Sequence, residues 1–243
     1  MSRIISIANQ KGGVGKTTTT INLATALSSV GKKVLIIDLD PQSNATSGLG
    51  LGEKEKNKTI YELLISKNFD NKYIHTTLIP NLDIIPATMD LAGAEIELVD
   101  QNNRESCLKE VVSQIKNYDN IIVDCPPALG LLTINGLVAC NSVIIPLQCE
   151  FFALEGLSSL IDTIDSIRNS FNDKIEIQGI VLTMYDTRNT LSSLVEKDVR
   201  SHLGNKVYTT VIPRNVRVSE APSHGKPVLI YDTNCLGSRA YIN

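Results

Sequence analysis

Residues 4–30 constrain this chain more than any other stretch. Ile4-Ile5-Ser6-Ile7-Ala8 is an apolar, mostly β-branched run, too short for a helix and suited to a buried strand. It leads directly into Asn9-Gln10-Lys11-Gly12-Gly13-Val14-Gly15-Lys16-Thr17-Thr18, and from Thr17 to Val30 a helical pattern follows that stops at Gly31. Strand, glycine-rich loop and helix in this order make a phosphate cradle. Glycines let the backbone close around an anion with successive N–H groups pointing inward, and the positive end of the helix dipole faces the same point. Lys16 then neutralises charge on the outer phosphates, and Thr17 places its hydroxyl on Mg²⁺. A glycine-rich turn that merely caps a helix is the competing explanation, and the flanking strand and helix weigh against it.

Further apolar runs recur at 34–37, 82–85, 121–123, 143–145, 177–182 and 207–212, most of them stopped by Asp or Pro. They are continuous rather than alternating, the pattern of strands buried on both faces. Helical patterns fall between them at 59–66, 88–99, 104–117, 130–140, 153–170 and 190–203, with another beginning near Leu236. This predicts an α/β fold, a mostly parallel twisted sheet flanked by helices on both faces, with residues 1–243 forming a single domain. Residues 43–58, rich in Gly, Ser, Asn and Lys, are expected to form a mobile surface loop.

Composition narrows the function classes. No run approaches the roughly 18 apolar residues of a membrane span, and the N-terminus turns polar too soon for a signal peptide. The five cysteines are widely spaced with no CxxC pair, which argues against a disulfide framework or a cysteine-rich zinc site and fits a reducing cytoplasm. His75, His202 and His224 are isolated and carry no metal-site spacing. A net charge of −3 conceals an asymmetry: residues 188–243 carry eight Lys and Arg against four Asp and Glu. A basic face on an acidic protein keeps nucleic acid open as a partner, with a solvated mixed-charge face as the alternative. Trp is absent and the tyrosines are scattered, which disfavours single-strand recognition by stacking.

The phosphate loop departs from the usual GxxxxGK[ST] pattern: Gln10 stands at the first glycine position and a second lysine, Lys11, stands at the entrance. From the pattern alone Lys11 is either an exposed surface lysine or a peripheral cation. KGGVGKTT at 11–18 resembles the deviant Walker A motif of the ParA/MinD ATPase superfamily. DLDPQSNAT at 38–46, IIVDCPP at 121–127 and VIPRNVRVSEAPSHGKPV at 211–228 are similar to chromosomal ParA (Soj) proteins in particular. The resemblance spans essentially the whole chain. It implies a P-loop ATPase that hydrolyses ATP with Mg²⁺, forms a homodimer when ATP-bound, and binds double-stranded DNA without sequence preference. A ParB-like protein would stimulate hydrolysis and release, in a cytoplasmic, nucleoid-associated setting with no membrane partner.

By the same resemblance Lys11 reaches across the dimer to the partner's phosphates, so Lys11, Lys16 and Asp40 form the catalytic set. Residues Lys11, Gly12, Gly13, Val14, Gly15, Lys16, Thr17 and Thr18 bind nucleotide, with Pro213 and Asn215 contacting the base. Asp38 and Asp40 follow a strand two residues apart and share one face, at the carboxyl ends where ligands of parallel sheets gather. The resemblance assigns Asp40 to the attacking water, and Thr17, Asp38 and Asp124 to the magnesium. It places a first switch segment at 41–46, where Gln42 and Asn44 sense phosphate, and a second around Pro126, Pro127 and Gly130. Arg188 and Arg217 match its DNA-contacting positions. Two rivals carry other requirements: a MinD-type membrane-recruited ATPase needs a C-terminal basic amphipathic helix, and an iron–sulfur carrier like the nitrogenase iron protein needs cluster-bridging cysteines. Neither feature is seen.

Overall fold

The computed structural model describes residues 2–52, 58–150 and 153–243. In chain order the elements are β1 (Arg3–Ile7), α1 (Lys16–Ser29), β2 (Val34–Asp38), α2 (Asn44–Gly48), α3 (Ile60–Ser66), β3 (His75–Thr76), β4 (Leu82–Ile85), α4 (Leu91–Glu97), α5 (Cys107–Gln114), β5 (Asn120–Asp124), α6 (Leu131–Ala139), β6 (Ser142–Gln148), α7 (Ala153–Ser170), β7 (Glu176–Thr183), α8 (Thr190–Leu203), α9 (Val216–Glu220), α10 (Val228–Tyr231) and α11 (Leu236–Ile242). The strands form one seven-stranded sheet in the order β3-β4-β2-β5-β1-β6-β7. All neighbours are parallel except the short edge strand β3, which runs antiparallel to β4.

The continuous apolar runs have the cause expected of them. Leu35, Ile37, Ile121, Val123, Val143 and Ile145 pack on one face beneath α3 to α8, while Val34, Ile36, Ile122 and Ile144 pack on the other against Ile21 and Ala24 of α1 and Ala45 of α2. Successive side chains point to opposite faces and both faces are dry, so no polar alternation survives in the sequence. Helix ends carry recognisable signals. Thr59 and Glu62 form a reciprocal capping box on α3, and the Asn189 side chain accepts the Leu191 N–H at the start of α8.

Three expectations need correction. Residues 207–212 are not a strand: the backbone meets β7 through an isolated bridge between Val207 and Ile180, with the Tyr208 N–H on the Ile180 carbonyl, and through the Ile212 N–H bond to Leu182, but forms no continuous ladder. The Tyr208 carbonyl is taken by the Arg200 guanidinium at 3.0 Å instead of a ladder partner, and Thr209 is exposed. Residues 44–48, expected in a loop, form α2, whose Ala45, Thr46 and Gly48 are buried; residues 53–57 of that expected loop lie outside the described residues. Finally, β6 continues through Pro146 to Gln148. Proline is tolerated there because β1 pairs with β6 only as far as Ile144, so no β1 acceptor is left without an N–H.

Candidate functional site

Parallel topology brings the carboxyl ends of β1, β2 and β5 to one edge, and Lys16, Thr17, Asp38, Asp40 and Asp124 of the predicted site residues meet there. The loop after β1 is tied down on both sides. Asn9 donates to the Pro146 carbonyl at 2.7 Å and accepts the Lys11 N–H at 2.9 Å, while Thr183 at the end of β7 donates to the Val14 carbonyl at 2.8 Å. Gly15 precedes α1 at φ +87°, a left-handed conformation that a side chain would strain. The loop and α1 open onto a cleft of about 580 Å³ lined by Gly12, Gly13, Gly15, Lys16, Thr17, Thr18 and Asp40, with Gln42 and Asn44 across from them. Val14 is buried beneath it.

Lys16 arches back over its own loop and donates to the Lys11 carbonyl at 3.0 Å. Burial draws its ammonium below the ordinary lysine range, opposed by Asp124, Cys125 and Asp40, which favour its charge. Below it, Asp38 and Asp124 are direct cross-strand partners in the β2–β5 register and both are fully buried. Asp38 Oδ2 accepts the Thr46 N–H at 2.9 Å and the Thr46 hydroxyl at 2.7 Å; Oδ1 accepts the Asp40 N–H at 3.2 Å. Asp124 Oδ1 accepts the Thr20 hydroxyl at 2.9 Å, but buried Oδ2 has no hydrogen-bond partner among the described residues. Burial, reinforced by the Asp38 charge, pushes the Asp124 carboxyl well up, against the opposing pull of the Thr17 and Thr20 hydroxyls. An orphaned carboxylate oxygen under a phosphate cradle, with a threonine hydroxyl at the helix start, is a donor set that suits a hard divalent cation.

Asp40 lines the cleft and accepts the Gln42 N–H at 2.9 Å. Pro213 and Asn215 line a second cavity of about 160 Å³, which adjoins the first through Gly15, Thr18 and Met184. Asn215 spends its carbonyl oxygen capping α9, on the Arg217 N–H at 2.9 Å. Lys11 stands apart. Its side chain does not line the cleft of its own loop; its ammonium pairs with Glu150, and both side chains are roughly half exposed.

The basic end of the chain divides into paired and unpaired cations. Arg188 is held by Asp186, and Arg217 by Glu220 at 3.0 Å and Asp232 at 3.6 Å, although their side chains remain 87% and 54% exposed. Arg200 is occupied by Glu196 and the Tyr208 carbonyl. Lys197, Arg214 and Lys226 have no ion pair among the described residues. Residue patterning missed Thr20, Glu150 and the Thr46–Asp38 bonds. Thr20 could have been found, because it lies three positions after Thr17 on the same face of α1. Nothing local marks Glu150 as the partner of a residue 139 positions away.

Residues 2–177 match a family model described as an AAA domain. The chain is 54% identical over 243 residues to the chromosome partitioning protein ParA of Caulobacter vibrioides, covering 99% of this chain and 91% of that one. It is 52% identical over 244 residues to the sporulation initiation inhibitor protein Soj of Bacillus subtilis, covering 100% and 96%. Among solved structures, cobyrinic acid a,c-diamide synthase from Mycobacterium smegmatis with bound ADP and magnesium is similar at a TM-score of 0.87 and 35% identity, covering 100% of this chain and 92% of that one. No helix among the described residues is long and apolar enough to cross a membrane.

Proposed function

The chain belongs to the ParA/Soj family of chromosome-partitioning P-loop ATPases, and we propose that it hydrolyses ATP as a partition switch. ATP joins two copies, the dimer holds duplex DNA without sequence preference, and a ParB-like protein stimulates hydrolysis and release, in the cytoplasm on the nucleoid. The observation that carries this reading is the position of Lys11. A lysine at the mouth of a phosphate loop whose side chain is absent from that loop's own cleft is available to a second copy's nucleotide. In a desolvated interface such a cation stabilises charge that develops during phosphoryl transfer.

The remaining roles are those the family resemblance implies, and the geometry supports them. Backbone N–H groups of residues 12–18 and the Lys16 ammonium hold the phosphates, and Asp40 at the cleft wall holds and orients the attacking water. Thr17 and Asp124 would hold Mg²⁺, with Asp38 completing the shell from its place beside Asp124. When bound, the ion neutralises charge on the phosphate oxygens. The cavity at Pro213 and Asn215 suits the base. Of the cationic residues, Arg188 and Arg217 serve DNA only by exchanging an internal partner for a phosphate, whereas Lys197 needs no exchange; Lys226 and Arg214 line the cleft and its adjoining cavity. Binding through phosphates is sequence-independent and strongly salt-sensitive.

The test is retention on two unrelated duplexes over a salt series with ATP, ADP or no nucleotide, for wild type and Lys16→Ala. Retention with ATP alone, equal on both sequences, steep in salt and lost in the variant is expected. Equal retention without nucleotide, or none under any condition, refutes the proposal.

A further inference from the structure

Two glycine backbones meet where the phosphate side of the site touches the C-terminal basic region. A Cβ on Gly225 would lie 2.7 Å from the Gly50 Cα and 3.2 Å from its nitrogen, and a Cβ on Gly50 would lie 3.0 Å from the Gly225 carbonyl oxygen. Both residues hold left-handed φ, +80° at Gly50 and +61° at Gly225. Two main chains in direct contact carry a displacement without the slack of flexible side chains.

The two partners belong to different segments, and both segments reach the cleft, through Asn44 and Ser47 on one side and Ser223 and Lys226 on the other, whereas Arg217 does not line it. Gly50 closes the α2 segment, whose start is held to the site by the Asp38–Thr46 and Asp40–Gln42 bonds. Close to the same junction, Gly48 packs against Ile21 and Pro222. Gly225 ends the turn that continues α9, and Arg217 and Lys226 lie either side of it in sequence. The segment is anchored beyond the contact, where the Val228 N–H donates to Asn22 on α1 at 2.8 Å and the Ser238 hydroxyl donates to the Val228 carbonyl at 3.0 Å. It is anchored before the contact by the Asn215 cap. Residues 216–226 therefore lie between two anchored points and are touched by Gly50, just beyond α2, near their C-terminal end.

We infer that the Gly50–Gly225 backbone contact is the joint through which the α2 segment, once set by nucleotide, repositions residues 216–226 and the cations they carry. Gly50 and Gly225 are positioning residues in this scheme. The inference rests on the nucleotide-switch reading above, and it specifies how that switch reaches the basic face.

Hydrogen exchange of the full chain, with and without a non-hydrolysable ATP analogue and Mg²⁺, tests it without reference to DNA. In wild type the analogue is expected to protect residues 12–18, 40–50 and 216–226, the last by about fivefold or more. In Gly225→Ala the first two regions remain protected and protection of 216–226 falls below about twofold. Gly50→Ala strikes the same joint from the other side and serves if Gly225→Ala does not fold. Gly31→Ala is the control, because Gly31 has φ +81° with nothing within 4 Å of its Cβ position, so it imposes backbone strain without a collision. Undiminished protection of 216–226 in the joint variants overturns the inference by showing direct contact with the nucleotide. Protection of 12–18 and 40–50 but never of 216–226 in wild type overturns the joint alone. No protection anywhere defeats the nucleotide reading as well.

Discussion

Replacing Thr46 with valine tests the buried link between β2 and α2. Thr46 is fully buried; its hydroxyl donates to Asp38 Oδ2 at 2.7 Å and accepts the Ala87 N–H at 3.1 Å. Valine has nearly the same shape, so no cavity opens, and the Thr46 N–H bond to Asp38 survives. Two losses remain. One is a hydrogen bond to a charged group, about 1.5–3 kcal/mol, and the other is an amide left buried without an acceptor, about 1–3 kcal/mol. Together they predict a loss of about 3–5 kcal/mol, which in a chain of this size lowers Tm by about 6–20 °C. The loss depends on pH. Burial raises the Asp38 carboxyl to about 6, while the Thr46 hydroxyl and N–H pull it back down. A carboxyl raised on folding contributes stability below its unfolded value and loses that contribution as pH rises through the folded one. Thr46 lessens this cost, so the gap between wild type and Thr46→Val widens from pH 5 to pH 8. Urea unfolding without nucleotide at both values measures it. A deficit under about 1 kcal/mol at pH 8, or a gap independent of pH, refutes the reasoning.

Glu150→Gln removes the internal partner of Lys11; the pair is half exposed, so stability changes little, but analogue-induced dimers form at several-fold lower protein concentration in analytical ultracentrifugation, and Lys11→Ala forms none. Unchanged dimerisation in both variants removes Lys11 from the interface. Asp124→Asn raises the Tm of the nucleotide-free protein by a few degrees at pH 8 and by clearly less at pH 5, because it deletes a buried carboxyl whose raised value, set by burial and by Asp38, costs stability from its unfolded value of about 4 upward as pH rises. In the same melting series magnesium adds no stabilisation to the variant's nucleotide complex; a variant less stable than wild type at pH 8 shows that the Asp124 charge is not a burden.

The sheet and the phosphate loop were legible in the sequence because their causes are local. Runs such as Val34–Ile37 and Ile121–Val123 are apolar on both faces only when both faces are covered, and a glycine loop between strand and helix has few other uses. Errors arose where tertiary partners override local preference. Val207 to Ile212 has strand composition, yet Arg200 takes the Tyr208 carbonyl and the segment leaves the sheet. Ser43 to Gly48 has loop composition, yet the Asp38 carboxylate organises it into a helix by binding Thr46. The Lys11–Glu150 pair joins residues 139 positions apart and has no sequence signature at all.

Strand register explains why this site is electrostatically unfinished. Pairing β2 with β5 in parallel sets Asp38 and Asp124 side by side at the same level, each among apolar neighbours such as Ile37 and Val123. Asp38 has a structural use, because it holds Thr46, but Asp124 does not: burial and the Asp38 charge both raise it, and an apolar residue would pack there at lower cost. A cation at the orphaned Asp124 oxygen would offset the burial of Asp124 and would lie beside its cross-strand partner Asp38. Asp38 is also the residue that holds Thr46. The carboxyl beside the metal position is thus the one that fixes the start of α2, so the metal position and the segment that ends at Gly50 are one side chain apart. Were the two carboxyls one residue out of register, a parallel sheet would turn one of them toward the opposite face, and binding would leave α2 where it was.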